Sequence, residues 1–176
     1  MSAGRKTVGV IGAGMMGSGM AANLLASGHR VLLAPRRASG TVNRLVRAGA
    51  ETVASPTALA EASDVVLTCV SDSVAVAAVA DQILPALGPG KLWIDATTAD
   101  PGATREIAAH VAARGAVFAD APVTGGPAHA KAGELASLVG CSESEFPQVE
   151  MIVGSYSKVV RRFGAVSYTH LRAQET

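Results

Sequence analysis

The chain has 176 residues, 49% of them hydrophobic and 16% charged, so it can bury a sizeable core and is too apolar for disorder. A formal net charge of +1 excludes the broad basic face of a nucleic-acid binder, and Arg36-Arg37 and Arg161-Arg162 are too short a footprint to supply one. The longest run of small apolar residues, Val74 to Ala80, falls far below the ~20 residues that a membrane span needs.

Strands and helices alternate along the chain with little between them. Thr7 to Ile11 predicts a first strand, and Met15 to Ser27 a helix closed by Gly28 in a left-handed cap. Arg30 to Ala34 is a second strand. Val42, Leu45 and Val46 place a helix over Thr41 to Ala48, which Gly49 ends. Glu51 to Ala54 is a third strand, and Ser55 with Pro56 opens a short helix running from Thr57 to Ala62. Asp64 to Val70 is almost continuously apolar, as a strand covered on both faces should be. Ser71-Asp72-Ser73 offers caps for a helix from Val74 to Leu84, and Pro85 to Lys91 is a turn. Leu92 to Ala96 is the fifth strand, a helix runs from Asp100-Pro101 to Arg114, and Val117 to Ala121 is the sixth strand. This order predicts an α/β fold of Rossmann type: a doubly wound, mostly parallel sheet with helices on both faces. No repeat or low-complexity linker divides it, so residues 1–166 read as one dinucleotide-binding domain.

Gly12-Ala13-Gly14-Met15-Met16-Gly17 sits between the first strand and the first helix. In such a turn the first glycine permits the bend, the second lets backbone approach a pyrophosphate, and the third lets helix and strand pack closely. The helix start adds free N–H groups and the positive end of its dipole. A site for NAD usually carries Asp or Glu about 20 residues further on, at the end of the second strand. Here that position reads Pro35-Arg36-Arg37, and two guanidiniums suit the 2′-phosphate of NADP better than the bare ribose of NAD. The alternative is a solvated basic turn. Cys69 and Cys141 are distant in sequence and read as two reduced thiols, and neither they nor His29, His110, His129 and His170 stand at metal-ligand spacing, so no metal is expected. Met1 to Lys6 is polar and the apolar segment after it is too short for a signal core, so the expected compartment is the cytoplasm.

Four segments together resemble the β-hydroxyacid dehydrogenase family, which includes 3-hydroxyisobutyrate dehydrogenase and 2-hydroxy-3-oxopropionate reductase. They are Gly12 to Gly17 with Met20-Ala21-Ala22-Asn23-Leu24 and Gly28-His29; Asp95-Ala96-Thr97-Thr98 with Pro101 and Arg105-Glu106; Asp120-Ala121-Pro122-Val123-Thr124-Gly125-Gly126; and Ala130, Gly133, Leu135 and Gly140 behind it. Thr97 stands where serine is usual. The resemblance implies that Val70, Ser71 and Asp72 lie against the cofactor, although Ser71 alone reads equally as a helix cap. It implies that Thr98 meets the nicotinamide side, where the bare residue reads as a hydroxyl capping the next helix. It also implies that Thr124, Gly125 and Gly126 cradle the carboxylate of a small hydroxy acid. The reaction so implied is reversible oxidation of a 3-hydroxy acid to its semialdehyde by hydride transfer, which requires a group that takes the hydroxyl proton.

In that family the proton is taken by a lysine on a long helix that leads into an all-helical second domain. The spacing from Thr124 puts this lysine near Ala173, and none of Lys6, Lys91, Lys131 or Lys158 lies in the right segment. Ser167 to Thr176 has no apolar periodicity and reads as an artefactual or disordered tail on a chain truncated before its helical domain. The chain alone is then expected to be inactive, and apolar surface left open favours a homodimer. Two other readings stay open: an imine reductase, which shares the architecture without the lysine, and a non-catalytic dinucleotide-binding module.

Overall fold

The computed structural model describes residues 4–164. Ala173 and the tail from Ser167 lie outside them, as does the end of the 1–166 domain. In chain order the elements are β1 (Thr7–Ile11), α1 (Gly17–Ala26), β2 (Arg30–Leu33), α2 (Gly40–Arg47), β3 (Glu51–Thr52), α3 (Pro56–Ala62), β4 (Val65–Thr68) and α4 (Ser73–Ile83). A 3-10 turn at Leu84–Ala86 follows, then β5 (Leu92–Asp95), α5 (Pro101–Ala112), β6 (Val117–Asp120), β7 (Val123–Thr124), α6 (Pro127–Ala132), β8 (Leu135–Val139), α7 (Phe146–Val153) and β9 (Ser157–Arg162).

β1 to β6 form one parallel sheet in the order β3-β2-β1-β4-β5-β6. The continuous apolar runs resolve into two faces because successive strand side chains point to opposite sides. Val8, Val10, Val65, Leu67, Leu92 and Ile94 join the core that contains residues of α1, α2, α6 and α7. Ile11, Val66 and Trp93 join the core made with α3, α4 and α5. Trp93 meets Phe118 edge to face there, with ring centroids 5.2 Å apart.

Helix ends follow the local chemistry. Ser55 caps α3 by accepting the Ala58 N–H at 3.1 Å. At the end of α1, Gly28 adopts φ +86° while its N–H and that of His29 return to the carbonyls of Leu25 and Leu24, satisfying two otherwise orphaned acceptors. Of the caps offered by Ser71-Asp72-Ser73, Asp72 caps α4 by accepting the Ala75 N–H, and Asp100 rather than the alternative Thr98 caps α5 by accepting the N–H groups of Gly102 and Ala103. A carboxylate at the N-cap also meets the positive end of the helix dipole, which a hydroxyl matches less well.

Beyond Ala121 the structure adds what the strand and helix pattern did not reveal. β7, β8 and β9 form a second, three-stranded sheet, with β7 antiparallel and β9 parallel to β8. A bridge between Asp120 and Gly140 joins it to the end of β6. Thr124, expected in a loop, is therefore the last residue of β7 and pairs with Ala136.

Candidate functional site

Because β1, β2, β4, β5 and β6 run in one direction, the segments that follow them open on the same edge of the sheet. The chain moves outward from β1 to β3 on one side and from β4 to β6 on the other, so the reversal of strand order falls between β1 and β4. In an open α/β sheet that switch point is where ligands bind. The edge carries Gly12 to Gly17 after β1, Arg36 and Arg37 after β2, Val70 to Asp72 after β4, Thr97 and Thr98 after β5, and Thr124 to Gly126 beyond β6.

The three glycines have three different surroundings. Gly12 adopts φ +97°, and a Cβ there would run into the Cys69 carbonyl oxygen. A Cβ on Gly17 would strike the Gly12 carbonyl, so helix and turn are in backbone contact. A Cβ on Gly14 would meet no heavy atom within 4 Å, and Gly14 is exposed. The Gly14 N–H turns back to the Gly12 carbonyl at 2.8 Å, and no side chain caps α1. Among the described residues, the N–H groups of Ala13, Met15 and Met16 donate to no protein acceptor. This is a cluster of free donors at a helix start, next to an exposed glycine whose Cβ position is empty. A pyrophosphate fits it by charge and by donor set.

Arg36 and Arg37 are exposed and make no ion pair among the described residues, so both guanidiniums are available to an anion at the end of β2. Asp72 is engaged as the α4 cap, and the Ala75 N–H holds its carboxyl below the usual carboxylate range. Thr98 is exposed at the edge.

Two further residues organise the site; both stand in the motifs that carry the family resemblance, but neither has a role from sequence alone. Thr97 is 4% exposed and accepts the Val70 N–H at 3.1 Å, which ties the loop after β4 to β5. Its own N–H donates to the buried Asp95 carboxylate at 3.1 Å. Thr68 also donates to Asp95, at 2.6 Å, and accepts the Trp93 indole N–H at 3.0 Å. Burial pushes the Asp95 carboxyl above its ordinary range, the Thr68 and Thr97 donors oppose that, and nearby Asp120 adds like charge. The Cys69 thiol is raised to about 11 by burial and by Asp95, so it is neutral near pH 7.

Asn23 is the second. Its Nδ2 donates to the carbonyls of Gly19 at 2.9 Å and Ala130 at 2.8 Å, stapling α1 to α6. Gly19 permits that contact, since a Cβ there would press on the Ala130 backbone. α6 begins directly after Gly126, so the Thr124–Gly126 segment leads into a helix that is packed on α1.

A family model described as the NAD binding domain of 6-phosphogluconate dehydrogenase matches residues 7–166. The mitochondrial 3-hydroxyisobutyrate dehydrogenase of Rattus norvegicus is 36% identical over 167 residues, covering 93% of this chain and 50% of that protein. The chain thus spans about half the length of the curated relatives it matches. A solved structure of Mycobacterium tuberculosis 3-hydroxyisobutyrate dehydrogenase with L-serine superposes at a TM-score of 0.90 with 27% identity, covering 98% of this chain and 59% of that one. An imine reductase from Pseudomonas sp. superposes at 0.85 with 21% identity, covering 98% of this chain and 61% of that one, a likeness of fold alone. The open glycine cradle, the sheet that carries it and the match along nearly the whole chain agree: the chain belongs to the NAD-binding domain family of 6-phosphogluconate dehydrogenase, with 3-hydroxyisobutyrate dehydrogenases among its relatives.

Proposed function

We propose that this chain supplies the NADP cradle and the carboxylate-binding loop of an oxidoreductase that interconverts a 3-hydroxy acid and its semialdehyde. The observation that supports this reading is the donor-lined turn at the start of α1, together with the Asn23 staple that packs α6, the helix following Gly126, against α1. The N–H groups of Ala13, Met15 and Met16 would hold the pyrophosphate, and Arg36 and Arg37 the 2′-phosphate. Val70, Ser71, Asp72 and Thr98 would line the nicotinamide half. The Thr124 hydroxyl and the backbone of Gly125 and Gly126 would orient the acid by its carboxylate. When bound, the dinucleotide supplies a hydride acceptor or donor.

The proton is a separate task. Lys91 is committed to three carbonyls at the end of α3, Lys6 precedes β1, Lys158 lies on β9 and Lys131 on the exposed side of α6. We assign the hydroxyl proton to none of them, and on that reading this chain alone binds its ligands without turnover. The Thr124–Gly126 loop favours hydroxy acids over imine substrates, which need no such carboxylate cradle.

The test is a titration of the chain with 3-hydroxyisobutyrate and glycerate in the presence of NADP, followed by NMR of the backbone amides. Shifts should concentrate at Thr124, Gly125 and Gly126, with no NADPH formed. Shifts confined to other segments would refute the carboxylate assignment, and turnover by the chain alone would refute the need for a proton acceptor outside the described residues.

A further inference from the structure

We infer that Thr97 is a positioning residue for the nicotinamide half of the site, acting through the peptide plane between Cys69 and Val70. The inference rests on the dinucleotide reading above.

That peptide is trans, so its carbonyl and its N–H point in opposite directions. The carbonyl, which belongs to Cys69, packs against Gly12 so closely that only glycine fits there. The N–H, which belongs to Val70, donates to Thr97 Oγ1 at 3.1 Å. One rigid unit is therefore pinned from the β1 side by the glycine turn and from the β5 side by a hydroxyl.

A threonine hydroxyl has one proton and two lone pairs, and the Val70 N–H takes one of the lone pairs of Thr97. Asp95 accepts the Thr97 N–H and the Thr68 hydroxyl, which anchors Thr97 at the end of β5. The Trp93 indole N–H locks Thr68 in turn. The chain of bonds Trp93–Thr68–Asp95–Thr97–Val70 is buried until it emerges at the loop after β4.

Strand order says which part of a ligand this loop serves. With the pyrophosphate over the turn after β1 and the adenosine ribose toward Arg36 and Arg37 after β2, the sheet leaves β4 and β5 to the nicotinamide half. Removing the Thr97 hydroxyl frees the Cys69–Val70 peptide to rotate on that side only. Arg36 and Arg37 lie across the sheet and are untouched.

The experiment compares Thr97→Val, which keeps the shape and removes the hydroxyl, with Thr97→Ser, which keeps the hydroxyl. Each full chain is titrated with NADPH and with 2′,5′-ADP, which lacks the nicotinamide half, and with NADH and ADP in parallel. Trp93, the single tryptophan of the chain, reports binding of the reduced dinucleotides by energy transfer, and calorimetry reports the adenosine ligands. Thr97→Val should weaken NADPH by about five- to tenfold, the worth of one positioned hydrogen bond, and leave 2′,5′-ADP unchanged. Thr97→Ser should match the wild type for both. An equal loss for both ligands marks a merely structural role and overturns the inference, as does no loss for either. A wild-type chain that binds none of the four ligands overturns the dinucleotide reading itself, and this inference with it. Hydrogen exchange of the wild type tests the contact independently of how the variants fold. The Val70 amide should be protected in the ligand-free chain, and exchange at the rate of the exposed Ser71 amide would overturn the assignment.

Discussion

Gly14→Ala separates the binding role of the glycine turn from its structural role. Gly14 is exposed, its φ lies outside the left-handed region, and an added Cβ meets no protein atom within 4 Å. The folded state should accept the methyl within about 0.5 kcal/mol, and the narrower unfolded ensemble can even add a few tenths. The same change at Gly12 combines a left-handed backbone with a collision against the Cys69 carbonyl, and should cost at least ~2 kcal/mol of stability. Ligand binding should show the reverse contrast. The second glycine of such a turn is where the backbone approaches the phosphates, so a methyl on Gly14 should push a pyrophosphate outward. Losing one hydrogen bond to a charged group, worth about 1.5–3 kcal/mol, corresponds to about 10- to 150-fold in Kd, and losing two to more. Thermal unfolding and NADPH titration on the same preparation are the assays. A Gly14→Ala chain with unchanged Tm and an NADPH affinity within about threefold of wild type would show that the phosphates do not sit on this turn.

Other positions give sharp expectations. Replacing Arg36 and Arg37 together by Ala should weaken NADPH by about 10- to 100-fold and NADH by little, because only the former offers a 2′-phosphate to two free guanidiniums; equal losses would assign the pair to general charge attraction. Lys91 Nζ donates to the carbonyls of Ala60 at 2.7 Å, Glu61 at 2.9 Å and Ser63 at 2.8 Å, capping α3 and tying it to the start of β5. Lys91→Met should therefore cost about 2–3 kcal/mol in denaturant unfolding and lower Tm by about 5–10 °C. A loss below about 0.5 kcal/mol would mean that water serves those carbonyls as well. Burial holds the His29 imidazole below its usual pKa while its Nδ1 accepts the Lys6 N–H at 3.3 Å. As pH falls through the ordinary histidine range near ~6.5, the unfolded chain takes up the proton first. The stability that His29 contributes is thus complete above that range and lost as pH falls through the lower, folded value. His29→Gln should flatten the slope of stability against pH between about pH 7 and 5, and an unchanged slope would assign it to other groups.

The sequence by itself determined the parts of this protein that depend on neighbours in the chain. The strand, glycine turn and helix from Thr7 to Ala26, the Ser55 cap, the Gly28 stop and the six parallel strands all follow from period, capping chemistry and backbone freedom, which act over a few residues. Most strands came out one to three residues shorter than the apolar pattern, because the pattern marks burial and burial continues past the last hydrogen-bonded pair. Only the tertiary structure decided the rest. The second sheet was not legible, since β7 is two residues long and β9 reaches β8 only after α7 intervenes. Thr97 and Thr98 are adjacent and chemically identical, yet one is buried on Asp95 and Val70 and the other exposed, because the chain turns outward between them at the end of β5. Asn23 stands in a family motif without a role of its own in the sequence, and its amide reaches Ala130, 107 residues away. Contacts of that span leave no periodic trace in a sequence; they exist only once the sheet has brought both partners to one edge.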